Sequence, residues 1–122
     1  MSADTIESRR DLLVWQKAHA AVLEVYQVTK SFPADERFRL TDQPCRAAAS
    51  IPTNIAEGKG RGSPAEFRQF LVIARGSIEE TRYLLLLARD LRLLSGDTYA
   101  ALEAKYTEVS KMTNALLRAL KT

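Results

Sequence analysis

The sequence predicts an all-α protein, an antiparallel up-down four-helix bundle with a kinked second helix. Three observations predict it. Apolar residues recur at three- and four-residue steps over long stretches. Only five glycines and four prolines occur in 122 residues. Short breaker-rich segments separate one periodic stretch from the next. So few breakers leave few turns, which favours long helices over many short strands. Short connections between successive helices imply antiparallel neighbours.

Residues 1–10 read as a polar, flexible tail, and residues 11–122 as the bundle. Helix one is expected from Asp11, a good N-cap residue, to about Lys30. Its apolar residues, Leu12, Val14, Trp15, Ala18, Ala21, Val22, Val25, Tyr26 and Val28, cover roughly 200° of the wheel, about twice what a simple surface helix needs. Ser31-Phe32-Pro33 ends the helix, because Pro33 drives Phe32 out of the α region. The linker to Leu40 is expected to fold Phe32 and Phe38 back onto the bundle.

Helix two begins at Thr41 or Asp42, and its Ala47, Ala48, Ala49 and Ala56 permit close helix approach. Pro52 lies inside it, removes the hydrogen bond to the Ala48 carbonyl, and is expected to kink the helix. Asn54 and Glu57 are assigned to the kink as polar groups that satisfy the freed backbone. Gly58, Gly60 and Gly62 then stop the helix.

Ser63-Pro64-Ala65-Glu66 is a capping box with proline at the first helical position. Helix three should follow to Leu94, about 31 residues, or roughly 46 Å at the usual rise. Ser95-Gly96-Asp97 supplies a glycine stop and a fresh N-cap, and helix four runs from about Thr98 to Leu120. Its stripe of Tyr99, Leu102, Tyr106, Val109, Thr113, Leu116 and Leu120 steps alternately by three and four residues, as in coiled-coil packing.

Helix three carries two apolar stripes. The main one holds Phe67, Phe70, Leu71, Ile73, Ala74, Ile78, Leu84, Leu85, Ala88 and Leu91. On the opposite side lies a seam of Val72, Gly76, Tyr83, Leu87 and Leu94. A single four-helix core needs one face of each helix. The seam, joined to the wide arc on helix one, is therefore what a subunit interface requires, and it predicts a closed ring of identical subunits. The competing reading is one enlarged core wrapped by the Phe32–Leu40 linker.

Between those faces stand Arg68, Arg75, Arg82 and Arg89, each seven residues after the last. A heptad step drifts only about 20° on a straight helix, so the four form one ladder, with Lys59 and Arg61 just beyond its N-terminal end. Arginine suits bidentate contact with phosphate, so a nucleic-acid track is one reading. The other is a solvated face of ion pairs, in which Arg75 reaches Glu79 one turn on.

Net charge is +3, with a pI near 9.2. The excess is spread evenly along the chain, so any basic site must arise from arrangement in space. This mild bias permits an anionic partner without demanding one. His19 and Cys45 are the only histidine and cysteine. They lack the partners of a zinc site or a Cys–His dyad. The glycines of residues 58–62 follow a helix rather than a strand, which argues against a nucleotide loop. No catalytic residue, metal or cofactor is expected, and the protein reads as non-enzymatic. With no apolar run long enough for a membrane span and no signal-peptide pattern, it reads as cytoplasmic.

The stretches Asp11-Leu12-Leu13-Val14-Trp15-Gln16-Lys17-Ala18, Ser50-Ile51-Pro52-Thr53-Asn54-Ile55-Ala56-Glu57-Gly58 and Ala74-Arg75-Gly76-Ser77-Ile78-Glu79-Glu80 together resemble one bacterial family. It comprises the four-helix-bundle proteins named for reading frames in 23S ribosomal RNA intervening sequences. The resemblance covers residues 11–120. The family is in turn similar to the accessory protein of diversity-generating retroelements, a barrel-like homopentamer of basic character that binds a reverse transcriptase and RNA. The resemblance thus implies a homopentamer and suggests a nucleic-acid partner. The chain departs from the expected pattern at Pro44-Cys45-Arg46, where one basic residue is absent.

Two functions follow. One is a homo-oligomeric accessory protein that binds RNA or another nucleic acid through its basic stripe. The alternative is a protein–protein scaffold with no nucleic-acid affinity.

Overall fold

The chain, as a computed structural model, is described over residues 6–120. The expected tail falls outside these residues up to position 5, as does the side chain of Phe38. Four helices follow one another: α1 (Ile6–Thr29), α2 (Asp42–Gly60), α3 (Pro64–Asp90) and α4 (Gly96–Ala119). A 3-10 turn (Ala34–Glu36) and a π turn (Arg37–Thr41) join α1 to α2. No strand occurs among the described residues. α2 packs against α1 and α3, while α4 packs against α3 and α1, so α1 and α3 stand at opposite corners.

The α3 start follows the sequence closely. Ser63 Oγ accepts from the Glu66 amide at 3.1 Å and donates to the Glu66 carboxylate at 3.0 Å, with Pro64 opening the helix. Three other boundaries differ from expectation. α1 begins at Ile6, not Asp11. Asp11 is buried inside the helix, and its carboxylate meets Lys59 Nζ on α2 at 2.5 Å, a tertiary use rather than a cap. α4 is capped by Ser95, whose Oγ accepts from the Thr98 amide at 3.1 Å, in place of Asp97.

α3 ends at Asp90, four residues early. Arg92 takes a left-handed φ of 64°. The Arg92 amide donates to Arg89 and the Leu93 amide to Ala88, each at 2.9 Å. That pair of bonds is a Schellman closure, with arginine at the position glycine usually fills.

α2 runs unbroken from Asp42 to Gly60, with Pro52 buried inside it. Side chains from both sides of the proline bond carbonyls that precede it. Ser50 Oγ donates to Ala47 and Thr53 Oγ1 to Ala49, each at 2.8 Å. Asn54 Nδ2 donates to the Ser50 carbonyl at 2.7 Å. Glu57 is not part of this set; it pairs with Arg61 at 3.2 Å in the last turn.

The core runs the length of the bundle. Val14, Ala18, Ala21 and Val25 of α1 meet Ala48, Ile51 and Ile55 of α2, Leu71, Ala74, Ile78 and Leu85 of α3, and Leu102, Tyr106, Val109 and Leu116 of α4. Burying each large aliphatic side chain is worth about 1.5–3 kcal/mol. These faces, not the surface charges, decide the fold. The α4 stripe lies as expected, with its middle residues buried and Tyr99 and Leu120 packed at the margins. Phe32 is folded back and buried, as expected of the linker. On α3, however, Ile73 and Leu91 face solvent, 51% and 54% exposed. Ile73 lies at the edge of the expected core stripe, and Leu91 just past the end of α3.

Cys45 is buried, with its Sγ 3.4 Å from Thr29 Oγ1. Burial pushes its thiol pKa up, and the hydrogen bond with Thr29 only partly offsets this. A thiol held protonated is a packing group rather than a nucleophile.

Gly58 proves to be a packing residue rather than a stop. A Cβ built there would lie 2.5 Å from Phe70 Cβ and 3.2 Å from the Phe67 ring, whereas one at Gly60 would meet nothing within 4 Å. Gly58→Ala should therefore lose about 1–3 kcal/mol through overpacking. Gly60→Ala should be neutral or gain up to about 1 kcal/mol from helix propensity. Paired urea unfolding curves test this; equal midpoints for the two variants would refute the close α2–α3 approach.

Candidate functional site

The six cations picked out by the sequence do not share one fate. Lys59 is neutralised by Asp11 and also lies over the Phe67 ring at 5.4 Å. Arg61 pairs with Glu57 and stacks on Phe70 at 5.1 Å. Arg82 turns toward α4, where its Nε donates to Glu103 Oε1 at 3.0 Å and its Nη2 to the same oxygen at 2.5 Å. Its Nη1 reaches Glu79 at 3.3 Å. These bonds to Glu103 raise the Arg82 pKa further and fix its charge. Arg89 pairs with Asp90 at 2.9 Å and stacks over Tyr99 at 4.7 Å.

Arg68 and Arg75 are the exception. The expected Arg75–Glu79 pair does not form, because Glu79 is taken by Arg82. No carboxylate pairs with either arginine among the described residues. The ladder is thus split: its C-terminal half is tied to α4 and to neighbouring acids, and its N-terminal half is open. α4 also supplies Asn114 and Arg118 beside Arg68 and Arg75. Neither was apparent from the sequence, since a heptad count along one helix carries no information about the helix packed against it.

The seam on α3 is also divided. Val72, Gly76 and Tyr83 are exposed, with Tyr83 at 59%. Leu87 is half-buried against the small cluster of Leu40, Ala47 and Leu84. Leu94 is buried in the main core. The last two therefore belong wholly or partly to the chain's own interior, because the linker and the early end of α3 cover that corner. Ile73 and Leu91 join the open part of the seam instead.

α1 matches this on the far side of the bundle. Leu12, Leu23 and Tyr26 are exposed on one stripe, with Trp15 half-buried between them and stacked on His19 at 5.2 Å. Leu12 and Trp15, with Ile55 and Ala56 of α2, line a groove of about 510 Å³. All the large exposed apolar side chains among the described residues, Leu12, Leu13, Leu23, Tyr26, Val72, Ile73, Tyr83 and Leu91, lie on α1, on α3 or, for Leu91, at the C-cap of α3.

The bundle and its pattern agree with known proteins. The family model for the 23S rRNA-intervening sequence protein matches residues 10–115. The chain belongs to that family. A solved structure of an S23 ribosomal protein family member from Bacteroides thetaiotaomicron VPI-5482, described as a protein with unknown function, has a TM-score of 0.83 to it. The two share 24% identity over 89% of this chain and 98% of the other, a likeness that establishes the fold. No protein of curated function matches.

For this intervening-sequence protein, no group of three or more metal-ligating side chains comes together among the described residues. No helix among them is long and apolar enough to cross a membrane. The divided ladder also changes what a substitution should do. Arg82→Gln should cost about 1–3 kcal/mol, because it leaves Glu103 partly buried without its charged partner. Arg75→Gln should change stability by less than about 0.5 kcal/mol. Thermal unfolding of both variants decides; equal losses would mean that the two arginines are equivalent after all.

Proposed function

We propose that the protein is a non-enzymatic, cytoplasmic homo-oligomer that binds RNA or another nucleic acid through the open half of its arginine ladder. The observation that carries this reading is the position of Arg68 and Arg75. They are unpaired cations on the same helix as an exposed apolar seam. Arg82 is held by Glu103. Arg68 and Arg75, two turns apart on one face of α3 and without a carboxylate among the described residues, are available to phosphate oxygens.

The oligomer follows from the opposed apolar faces. A face on α1 and a different face on α3, at opposite corners, cannot satisfy each other within one chain. Contact between the α1 face of one copy and the α3 face of the next is heterologous, and such contacts close into a ring when the rotation permits. Five subunits is the number suggested by the likeness to the accessory protein of diversity-generating retroelements. A ring would repeat Arg68 and Arg75 around its circumference, which multiplies a mild charge into a strong one. The family name, with its reference to 23S rRNA, supports an RNA partner over others.

Affinity for a labelled single-stranded RNA, measured by fluorescence anisotropy at two salt concentrations, tests the proposal. Phosphate-driven binding through two or more contacts per subunit should weaken at least about tenfold between 50 and 200 mM salt. Wild-type protein that binds neither RNA nor DNA at 50 mM salt would overturn this reading and leave the protein–protein scaffold in its place.

A further inference from the structure

Arg68 and Arg75 on α3 do not stand alone. With Arg118, Asn114 and Leu117 of α4 they line a single concavity of about 240 Å³. Its lining holds three guanidinium groups, one carboxamide and an apolar side chain, and no carboxylate. None of the three arginines pairs with an acid among the described residues. A carboxylate stands beside Arg39, Arg61, Arg82 and Arg89, while Arg46 and Arg92 are unpaired singly among the described residues, away from this groove.

The contrast along the α3–α4 groove is sharp. Opposite Arg82, α4 presents Glu103. Some three turns further along the groove, opposite Arg68 and Arg75, it presents Asn114 and Arg118. Like charges gathered at one place repel one another unless a counter-ion joins them. The chain supplies none among the described residues, which leaves the three guanidinium groups open to an anion from outside.

The donors that line the concavity set the kind of anion. Forked guanidinium donors match the paired oxygens of phosphate, and the Asn114 amide adds a neutral donor. Leu117, the remaining lining residue, is buried.

We propose that Arg68, Arg75, Asn114 and Arg118 form a phosphate-binding site in the α3–α4 groove, one per subunit. The phosphate is either a phosphodiester of a nucleic-acid backbone or a free phosphate. The first source deepens the nucleic-acid reading and rests on it; the second does not.

Two measurements on the whole protein test the site and separate the sources. In the first, arginine Nε–Hε signals are followed by NMR as inorganic pyrophosphate is added. Signals of Arg68, Arg75 and Arg118 should shift together along one saturating curve, and the shifts should vanish in the Arg75→Gln/Arg118→Gln double variant. In the second, RNA affinity is measured for Arg75→Gln, Arg118→Gln and the control Lys105→Gln, which removes the same charge from an ion pair with Glu24. Each pocket variant should weaken RNA binding about threefold or more and lower the salt slope by roughly one, with less than a twofold effect from the control.

Saturating shifts with RNA binding untouched by the pocket variants would support the site and assign it to free phosphate. Saturating shifts with no RNA affinity in the wild type would do the same, and would overturn the nucleic-acid reading alone. No saturating shift, together with RNA binding that the pocket variants leave unchanged, would overturn the site and spare that reading.

Discussion

A four-helix bundle can bury one face of each helix, and two helices of this chain carry two. On α1, Val14, Ala18, Ala21 and Val25 face the core, while Leu12, Leu23 and Tyr26 face solvent. On α3, Phe67, Leu71, Ala74 and Ile78 face the core, while Val72, Ile73, Tyr83 and Leu91 do not. α2 and α4 contribute no large apolar side chain to the surface among the described residues. Single exposed leucines need no explanation, but apolar groups clustered on two helices mark contact surfaces. Diagonal placement of α1 and α3 keeps those surfaces apart, so neither covers the other within the chain.

The same packing determines what becomes of the arginines. Gly58 brings α2 close against Phe67 and Phe70 of α3, and α4 lies on the neighbouring side of α3, where the ladder points. Whether each arginine is satisfied then depends on what α4 offers at that level. Glu103 captures Arg82, and Tyr99 receives Arg89. At the other end Asn114 and Arg118 face Arg68 and Arg75, and no acid intervenes. A regular heptad pattern on one helix is thus converted into two unlike halves by the irregular composition of its neighbour.

Features governed by local chemistry were legible in the sequence. The Ser63 cap, the break at Pro33 and the alternating stripe of α4 each depend on residues within a turn or two of one another. So did the doubled apolar faces of α1 and α3, which periodicity alone exposes. Features governed by a partner helix were not. Asp11 looks like a cap until Lys59 is found beside it. Gly58 looks like a stop until the Phe70 side chain is seen to press against it. Leu94 belongs in sequence to the outer seam, yet the left-handed turn at Arg92 ends α3 early and returns it to the core. Arg118 and Asn114 carry no motif, and only the antiparallel pairing of α3 with α4 brings them to Arg68 and Arg75.

We propose that the exposed faces of α1 and α3 join copies of the chain. Sedimentation equilibrium of the wild type beside Tyr83→Glu addresses it most directly, with circular dichroism as the check on folding. The account predicts a single closed oligomer for the wild type at micromolar concentration. For Tyr83→Glu it predicts a helical monomer, since that ring is 59% exposed in the isolated bundle and contributes little to its core. A wild-type protein that sediments as a stable monomer would contradict it, as would a variant that unfolds instead of dissociating.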